Sequence, residues 1–287
     1  MIQLRNFFKG ALLKLRIAVD GFGRIGRALV RELLDKPDIS LVLIHDIMTI
    51  EMAKYLLKYD STHGNLTYGI DIKDNCMTIN QHTITYGEIE ATHDIDIVFV
   101  SHGQETNLQS YRDIGVKRVV LSSMPSDDIP VFAVGINHLM YNNQTIFSAG
   151  SCTTNALALL LKDLDETFCI QSGHVTSIHS YTTDQNLLDG RYDGEIERSR
   201  AAAINMIPVE SGVAKNLSKL LPHLENKIIG TGVRVPTENV SMLDISLILM
   251  DESSLKKYQD FFISVEKKYA PWLKIDTDNK VSRDYYG

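Results

Sequence analysis

The amino-acid sequence predicts an α/β fold, with a doubly wound parallel sheet followed by an α+β domain. From Leu15 onward, short apolar runs alternate with helix-compatible segments, and such alternation is typical of a parallel sheet covered by helices. After Cys152 the predicted strands become longer and fewer helices separate them. We therefore expect two domains, a first one over residues 15–151 and a second one over residues 152–287.

The first domain opens with a strand, a glycine turn, a helix and a second strand. The apolar run Leu15–Asp20 ends in a glycine cluster, residues 27–34 have helical spacing, and Lys36-Pro37 stops that helix before the next apolar run at 40–46. Further elements are predicted in this domain as a helix at 52–58 and as extended segments at 83–86, 95–101, 119–122, 130–135 and 145–148.

The second domain begins with a helix predicted at 153–164. Strands are predicted at 173–180, 227–236 and 240–250, and a long polar stretch fills 181–200. Longer strands with few crossover helices are typical of an α+β domain. The sequence contains neither internal repeats nor low-complexity tracts.

Composition narrows the possible functions. The net charge of −7 over 287 residues argues against general nucleic-acid binding. The three cysteines show no paired spacing, so we expect a reduced cytoplasmic protein without a zinc site or disulfide framework. No apolar run approaches the length of a membrane span. Residues 1–14 are basic and apolar but lack a cleavage site, and we interpret them as an extension rather than a targeting segment.

A glycine motif predicts a dinucleotide site. Gly21, Gly23 and Gly26 form G-x-G-x-x-G directly between the first strand and its helix, and Asp46 ends the next strand. Such glycines permit a tight turn and let a pyrophosphate approach the helix N-terminus. A carboxylate at the second strand accepts hydrogen bonds from the ribose and repels a 2′-phosphate. The sequence therefore predicts a Rossmann-type domain that binds NAD rather than NADP, although glycine turns also serve packing alone.

One cysteine has the setting of a nucleophile. Cys152 lies in Ser-Cys-Thr-Thr-Asn just before an apolar helical run, so the helix dipole would favour its thiolate. His179 ends the following predicted strand and could act as its base. The alternative is that Cys152 is a small buried hydrophobe. We assign no role to Cys76 or Cys169, and we expect the remaining histidines to be structural groups, among them His63, His102, His174 and His223.

Six segments carry a specific resemblance. They are GFGRIGR at 21–27, YLLKYDSTHG at 55–64, SCTTN at 151–155, HSYTTDQNLLDG at 179–190, RAAAINMIP at 200–208 and RVPTENVSMLD at 234–244. In this order and spacing the chain resembles the phosphorylating glyceraldehyde-3-phosphate dehydrogenase family from about Leu15 to Gly287. The resemblance implies a cytoplasmic homotetrameric NAD-dependent dehydrogenase of glycolysis, acting on glyceraldehyde 3-phosphate and inorganic phosphate through a cysteine thioester.

The resemblance also implies roles for single residues. Cys152 would be the nucleophile and His179 its base. The other implied contacts are those with the cofactor (Arg24, Ile25, Asp46 and Ser122), with the substrate phosphate (Thr182, Arg198 and Arg234) and with the attacking phosphate (Ser151, Thr153, Ser211 and Gly212). These residue types suit the binding of two phosphates. Arg supplies forked, charged hydrogen-bond donors and hydroxyl groups add neutral donors, so the anions can be held without a metal ion. Without the resemblance, Arg198 among its charged neighbours could equally be a solvated surface residue.

Several positions depart from the family pattern. Asp20 stands where Asn is usual and would place a carboxylate near the cofactor, which would weaken binding if it points inward. His45 also replaces an Asn, and Ser101-His102-Gly103 replaces a Thr-Gly pair. Smaller changes are Gly150 and Ala156 beside the cysteine motif and Ser211 for Thr. We expect these changes to alter affinities rather than the type of reaction.

The C-terminal end of the sequence is the largest departure. In the family, the segment that residues 281–287 resemble is followed by an Asn that orients the nicotinamide and by a docking helix. We therefore expect a shortened chain that binds NAD but transfers hydride slowly. Two alternatives stay open. One is an erythrose-4-phosphate dehydrogenase, which is disfavoured by Tyr181-Thr182-Thr183 and Gly212. The other is a non-catalytic NAD-binding paralogue, which is disfavoured by the presence of Cys152 and His179.

Overall fold

A computed structural model describes residues 14–103, 107–125 and 128–286. The segment interpreted above as an N-terminal extension lies, except for Lys14, outside these described residues. The chain divides into two compact units. The first contains the residues up to Val131 together with Asn142–Gly150, and the second contains Phe132–Tyr141 together with Ser151–Gly287.

The first unit is built on an eight-stranded sheet. Its strands are β1 (Leu15–Asp20), β2 (Ile39–His45), β3 (Ile70–Lys73), β4 (Cys76–Ile79), β5 (His82–Tyr86), β6 (Ile97–Val100), β7 (Arg118–Leu121) and β8 (Ile146–Ser148). The order across the sheet is β3-β4-β5-β2-β1-β6-β7-β8. The six strands from β5 to β8 in this order pair in parallel, whereas β3, β4 and β5 pair antiparallel. The predicted fold class is confirmed, with an antiparallel extension at one edge.

The described residues of this unit form three α-helices, α1 (Arg24–Leu33), α2 (Ile50–Lys58) and α3 (Leu108–Asp113). Helix α1 begins at Arg24, earlier than the predicted start, because its N-cap is Gly23 inside the glycine turn. The apolar residues of β1 and β2 are the centre of the core, where Val19, Leu43 and Ile44 are fully buried. These strands carry the apolar runs seen in the sequence because both faces of a parallel sheet are covered.

The prediction of an extended segment at 130–135 was wrong. Only Val131 forms a bridge, with Ser148. A turn follows immediately, in which the Asn137 side chain accepts the Ala133 N–H at 2.9 Å. A side chain that binds nearby backbone groups in this way competes with strand formation.

The second unit contains a four-stranded sheet with the order β10-β11-β9-β12. Its elements are α4 (Cys152–Phe168), β9 (Ile170–Ser180), β10 (Ile207–Glu210), α5 (Val213–Ser218), β11 (Ile228–Val235), β12 (Met242–Leu249) and α6 (Leu255–Tyr269). Strands β9 and β11 are parallel, and the other two pairs are antiparallel. This mixed sheet agrees with the predicted α+β class.

Helix α4 supplies the main apolar face of this unit. Leu157, Leu161 and Phe168 are fully buried on it. Helix α6 packs beside α4, where the half-exposed Lys268 and the buried Tyr269 both bond the Asp163 carboxylate, at 2.8 and 3.0 Å. No helix within the described part of the chain is both long enough and apolar enough to cross a membrane.

Candidate active site and cofactor site

The glycine turn after β1 leaves no room for side chains at two of its three positions. A Cβ on Gly26 would lie 2.0 Å from the Gly21 carbonyl oxygen, and one on Gly21 would lie 2.6 Å from the His102 nitrogen. Gly21 also has a φ of +92°, a conformation that other residues rarely adopt. A Cβ on Gly23 would meet nothing within 4 Å. The turn therefore packs tightly against the protein but is open at Gly23, as close approach of a pyrophosphate requires.

Asp46 follows β2 and contacts the same turn. Its carboxylate accepts the Phe22 N–H at 2.5 Å and the Met48 N–H at 3.1 Å. A cavity of about 470 Å³ lies beside it, and its lining includes Gly21, Asp46 and Tyr111. A cavity of this size next to an open glycine turn and a carboxylate fits the adenosine part of a dinucleotide.

The other predicted cofactor residues lie at the edges of this region. Arg24 and Ile25 open helix α1, and the Ile25 side chain is about half exposed. Arg24 also lines a small polar pocket with Asp60 and His63. Ser122 directly follows β7, and its N–H donates to the Val100 carbonyl at 3.0 Å. All of them belong to the first unit.

Cys152 is the first residue of α4, one position earlier than the predicted helix start. The Ser151 hydroxyl caps the helix by accepting the Thr154 N–H at 3.4 Å. The Cys152 thiol is exposed, and its Sγ lies 3.6 Å from His179 Nε2. The alternative of a small buried hydrophobe does not describe this cysteine, because a helix N-terminus and an imidazole both face its sulfur.

The imidazole of His179 is held on its other side. Nδ1 lies 2.7 Å from the Ser180 carbonyl oxygen and 2.6 Å from Arg234 Nη1, and Arg234 itself donates to that carbonyl at 2.8 Å. When Nδ1–H donates to Ser180, the Nε2 lone pair points at the Cys152 sulfur. Burial, reinforced by the charge of Arg234, lowers the pKa of His179. A neutral imidazole is the form that can accept the thiol proton.

Strand pairing explains why Arg234 lies beside His179. The two residues are directly opposite each other in the parallel pair β9 and β11. Burial lowers the pKa of the Arg234 guanidinium, and nearby Asp184 opposes that effect. Arg234 is thus a desolvated cation within reach of the thiol site, a suitable group for holding an anionic substrate.

Thr182 and Arg198 meet through a shared carboxylate. The Thr182 hydroxyl donates to Asp184, and Arg198 binds the same carboxylate at 2.8 Å and Glu195 at 2.6 Å. Burial acts to lower the pKa of Arg198, but the hydrogen bond with Glu195 and the charges of Glu195 and Asp184 together outweigh this effect, so the pKa is raised. Arg198 is therefore not a solvated surface residue, and its side chain is only 17% exposed.

The residues predicted to bind the attacking phosphate lie at two helix starts. Ser151 and Thr153 flank Cys152 at the beginning of α4, whereas Ser211 and Gly212 precede α5. The Ser211 hydroxyl lies beside Gly230 of β11, 3.5 Å from the position that a Cβ there would take. Since Gly230 is four residues before Arg234, Ser211 is separated from Arg234 by roughly 13 Å of strand.

Sequence reasoning missed one residue of the site and the clustering of four others. Asp184, which joins Thr182 to Arg198, received no role, although it is part of the quoted HSYTTDQNLLDG segment. Asp20, which the sequence analysis placed near the cofactor, is buried and contacts His45, His102 and Tyr111, and the sequence did not reveal that these four residues lie together. No local sequence motif could predict this cluster, because its four members lie on separate elements of the fold.

The described residues contain no group of three or more histidine, cysteine or acidic side chains able to hold a metal ion. All three cysteines are free: Cys76 is half-buried in β4, and Cys169 is exposed at the end of α4. The thiol that faces an imidazole is therefore Cys152.

The parallel sheet with its open glycine turn defines the class of protein: an NAD-dependent dehydrogenase. Residues 15–109 match the family described as "Glyceraldehyde 3-phosphate dehydrogenase, NAD binding domain", and residues 151–287 match its "C-terminal domain". The chain belongs to the glyceraldehyde 3-phosphate dehydrogenase family, and the predicted resemblance and the predicted cofactor, NAD, are confirmed.

Individual relatives support this assignment over nearly the whole chain. Glyceraldehyde-3-phosphate dehydrogenase of Helicobacter pylori strain J99 is 36% identical over 285 residues, which are 94% of this chain and 86% of that protein. Glyceraldehyde-3-phosphate dehydrogenase 1 of Bacillus cereus is 35% identical, covering 95% of this chain and 85% of its own length. Its namesake from Kluyveromyces lactis is also 35% identical, with 95% and 86% covered.

Proposed function

We propose that this protein oxidises glyceraldehyde 3-phosphate with NAD and inorganic phosphate, giving an acyl phosphate and NADH through a thioester on Cys152. The observation that carries the proposal is the distance of 3.6 Å between Cys152 Sγ and His179 Nε2 at the start of α4. A nucleophile within reach of a base that is itself oriented by a third group is the usual arrangement for covalent catalysis.

The first step is the addition of sulfur to the aldehyde. His179 Nε2 takes the thiol proton of Cys152, and the thiolate attacks the aldehyde carbon to form a thiohemiacetal. The helix N-terminus stabilises the thiolate before the attack. Because His179 is neutral before the reaction, it can accept this proton and return it to the developing alkoxide.

The second step converts the thiohemiacetal into a thioester. His179 would accept the hydroxyl proton, and NAD bound at the glycine turn would supply the acceptor for the hydride that leaves the same carbon. Inorganic phosphate then attacks the thioester carbonyl and Cys152 leaves as a thiolate, which releases the acyl phosphate. The thioester keeps the energy of the oxidation in a form that phosphate can use.

Two sets of residues are proposed to hold the two phosphates. The groups that suit the phosphate of the substrate are Arg234, Arg198 and Thr182, two forked cations and a hydroxyl. Thr182 and Arg198 both bond the Asp184 carboxylate, and the charge of Asp184 also acts on Arg234. Ser151, Thr153, Ser211 and Gly212 suit the attacking phosphate, because they lie at the starts of α4 and α5. The two sets of residues are separated along β11, and this separation keeps the two phosphates apart.

The cofactor site is proposed for the glycine turn of the first unit. The pyrophosphate would be held by Gly21, Gly23 and Gly26 together with Arg24 and Ile25. Asp46 would bind the adenine ribose, and Ser122, at the end of β7, would contact the cofactor. The open space at Gly23 and the cavity beside Asp46 support this placement. We further propose a cytoplasmic homotetramer with a role in glycolysis; a relative from Leishmania mexicana, 33% identical, carries the designation cytosolic.

Replacing the nucleophile tests the proposal. Cys152→Ser should lower phosphate-dependent NADH formation by on the order of 10³-fold or more, since a serine hydroxyl is a far weaker nucleophile at neutral pH. Cys169→Ser is the matched control, because Cys169 is also exposed but faces Met250 rather than a histidine. Comparable rates in the two variants would refute the role of Cys152.

A further inference from the structure

Arg198 is held by two carboxylates. Its Nη1 lies 2.8 Å from Asp184 Oδ2, and its Nε lies 2.6 Å from Glu195 Oε2. Because two nitrogens of one planar group are bonded, the orientation of the guanidinium is fixed. The group carries more N–H donors than these two bonds use, so that others can bind an anion.

The two carboxylates differ in what else they bind. Asp184 also accepts the Thr182 hydroxyl, so its contacts stay among the residues proposed for the substrate phosphate. Glu195 instead accepts the Glu210 N–H at 3.2 Å with its other oxygen, Oε1. Glu195 therefore connects Arg198 to strand β10, which is a separate element of the second unit.

The backbone at Glu210 leads into the residues proposed for the attacking phosphate. Glu210 is the last residue of β10, and Ser211 and Gly212 follow it before α5 begins. Glu195 thus contacts the side chain of Arg198, which we assign to the substrate phosphate, and the backbone that adjoins the site of the attacking phosphate.

Both bonds of Glu195 need a carboxylate. The hydrogen bond with Arg198 lowers the pKa of Glu195, and the Glu210 N–H acts in the same direction against the effect of burial. Both oxygens of the ionised group are acceptors, whereas an amide has only one oxygen. The NH₂ group of a glutamine here would face either the Arg198 Nε–H or the Glu210 N–H, which places a donor against a donor. A glutamine can therefore keep only one of the two bonds.

We infer that Glu195 is a positioning residue for both phosphates, because it fixes Arg198 for the phosphate of the substrate and the turn at Ser211 for the attacking phosphate. The Cys152 thiol and the His179 imidazole face each other, and Ser180 and Arg234 hold the imidazole on its other side. The chemical step should therefore not depend on Glu195. This inference rests on the function proposed above.

The test is steady-state NADH formation by the full chain, with each substrate varied at saturating levels of the others. Glu195→Gln keeps the size of the side chain but loses one bond and the charge. We expect the KM for glyceraldehyde 3-phosphate and the KM for inorganic phosphate both to rise roughly threefold to tenfold, while kcat changes by less than about twofold. A merely structural role would lower the fraction of active protein, and thus kcat, without changing either KM.

Two further variants assign the effect. Asp184→Asn acts on Arg198 but leaves the Glu210 bond in place, so it should raise the KM for glyceraldehyde 3-phosphate alone. Glu197→Gln is the matched control, because Glu197 is an exposed carboxylate in the short turn that Glu195 opens. It should leave kcat and both KM values unchanged.

The possible failures are distinguishable. An unchanged KM for either substrate in Glu195→Gln, a rise of both KM values in Asp184→Asn, or an equal effect of Glu197→Gln would overturn the positioning role and leave the proposed reaction intact. Absence of phosphate-dependent NADH formation by the unmodified chain would instead overturn the proposed function.

Discussion

At the scale of single residues, the protonation of His179 depends on groups from two strands. Ser180 follows it on β9 and Arg234 faces it from β11. Burial lowers the pKa of His179 and the charge of Arg234 adds to this, so the folded protein disfavours the imidazolium. The folded state therefore binds fewer protons here than the unfolded chain, and this site costs stability as the pH falls below the ordinary histidine range.

Removing the neighbouring charge should change the titration of His179. In Arg234→Gln the Coulombic part of the effect disappears while burial remains, so the pKa of His179 should move upward toward its ordinary value. The measurement is a titration of the His179 ring proton by NMR. His174 on the same strand is the internal control, since it contacts Thr231 rather than Arg234. An unchanged or lower pKa of His179 would contradict this account.

The reactivity of the thiols gives a second test at this scale. Iodoacetamide should modify Cys152 faster than Cys169, which is also exposed, and His179→Ala should slow the modification of Cys152 alone. Peptide mass mapping over a time course measures both rates. Equal modification rates for the two cysteines, or no effect of His179→Ala, would contradict the role of His179 as the base for Cys152.

The sequence could predict residues whose function depends on local context, and it could not predict those defined by distant partners. Cys152 has its helix start and its polar neighbours within a few positions. Asp184 belongs to the site because Arg198 binds it. Asp20 likewise accepts a hydrogen bond from Tyr111, which is 91 positions away in the sequence. Such pairs arise only when the strands and helices are placed in space.

At the scale of elements, the glycine turn combines two separate requirements. Gly26→Ala should destabilise the first unit, because its Cβ would lie 2.0 Å from the Gly21 carbonyl oxygen. Gly23→Ala has open space and a φ of −68°, so it should fold normally but weaken NAD binding by at least about tenfold. Urea unfolding and calorimetric titration measure the two effects. The reverse assignment of stability and binding losses would refute this reading of the turn.

The packing of α6 on α4 depends on Asp163. Asp163→Ala removes the partner of the buried Tyr269 hydroxyl and of Lys268, and should lower the free energy of unfolding by about 1–3 kcal/mol. Asp260→Ala is the control: it breaks an exposed pair with Lys256 and should cost less than about 0.5 kcal/mol. Similar losses in urea unfolding for both variants would contradict the importance of the buried pair.

The elements with a clear apolar pattern were predictable, whether long or short. The long helix α4 and the strand β9 carry extended apolar patterns, and both were predicted. Strands β3 and β4 were not predicted, because they alternate with turns at Asp74 and Asn80, which have positive φ, and neither strand buries more than two side chains. Helix α6 was missed because only Val265 and Tyr269 are buried on it.

At the scale of the whole molecule, the second unit presents apolar side chains to solvent. Strand β12 exposes Met242 and Ile248 on one face, and Met206 and Ile229 are exposed elsewhere in the same unit. An exposed apolar face of a sheet, such as that of β12, is typical of protein interfaces. If the protein is the homotetramer that we propose, sedimentation should give four times the chain mass of 32.3 kDa. A monomer at micromolar concentration would contradict that assembly.

The central claim is that the aldehyde is oxidised while bound to Cys152, and trapping the thioester tests it most directly. With glyceraldehyde 3-phosphate and NAD but no inorganic phosphate, the reaction should stop after about one NADH per chain, because nothing releases the acyl group rapidly. Acid quenching and peptide mass mapping should then find the acyl group on Cys152 and leave Cys76 and Cys169 unmodified. NADH formation that continues unchanged without phosphate, or a quenched protein with no acyl group on Cys152, would contradict the account.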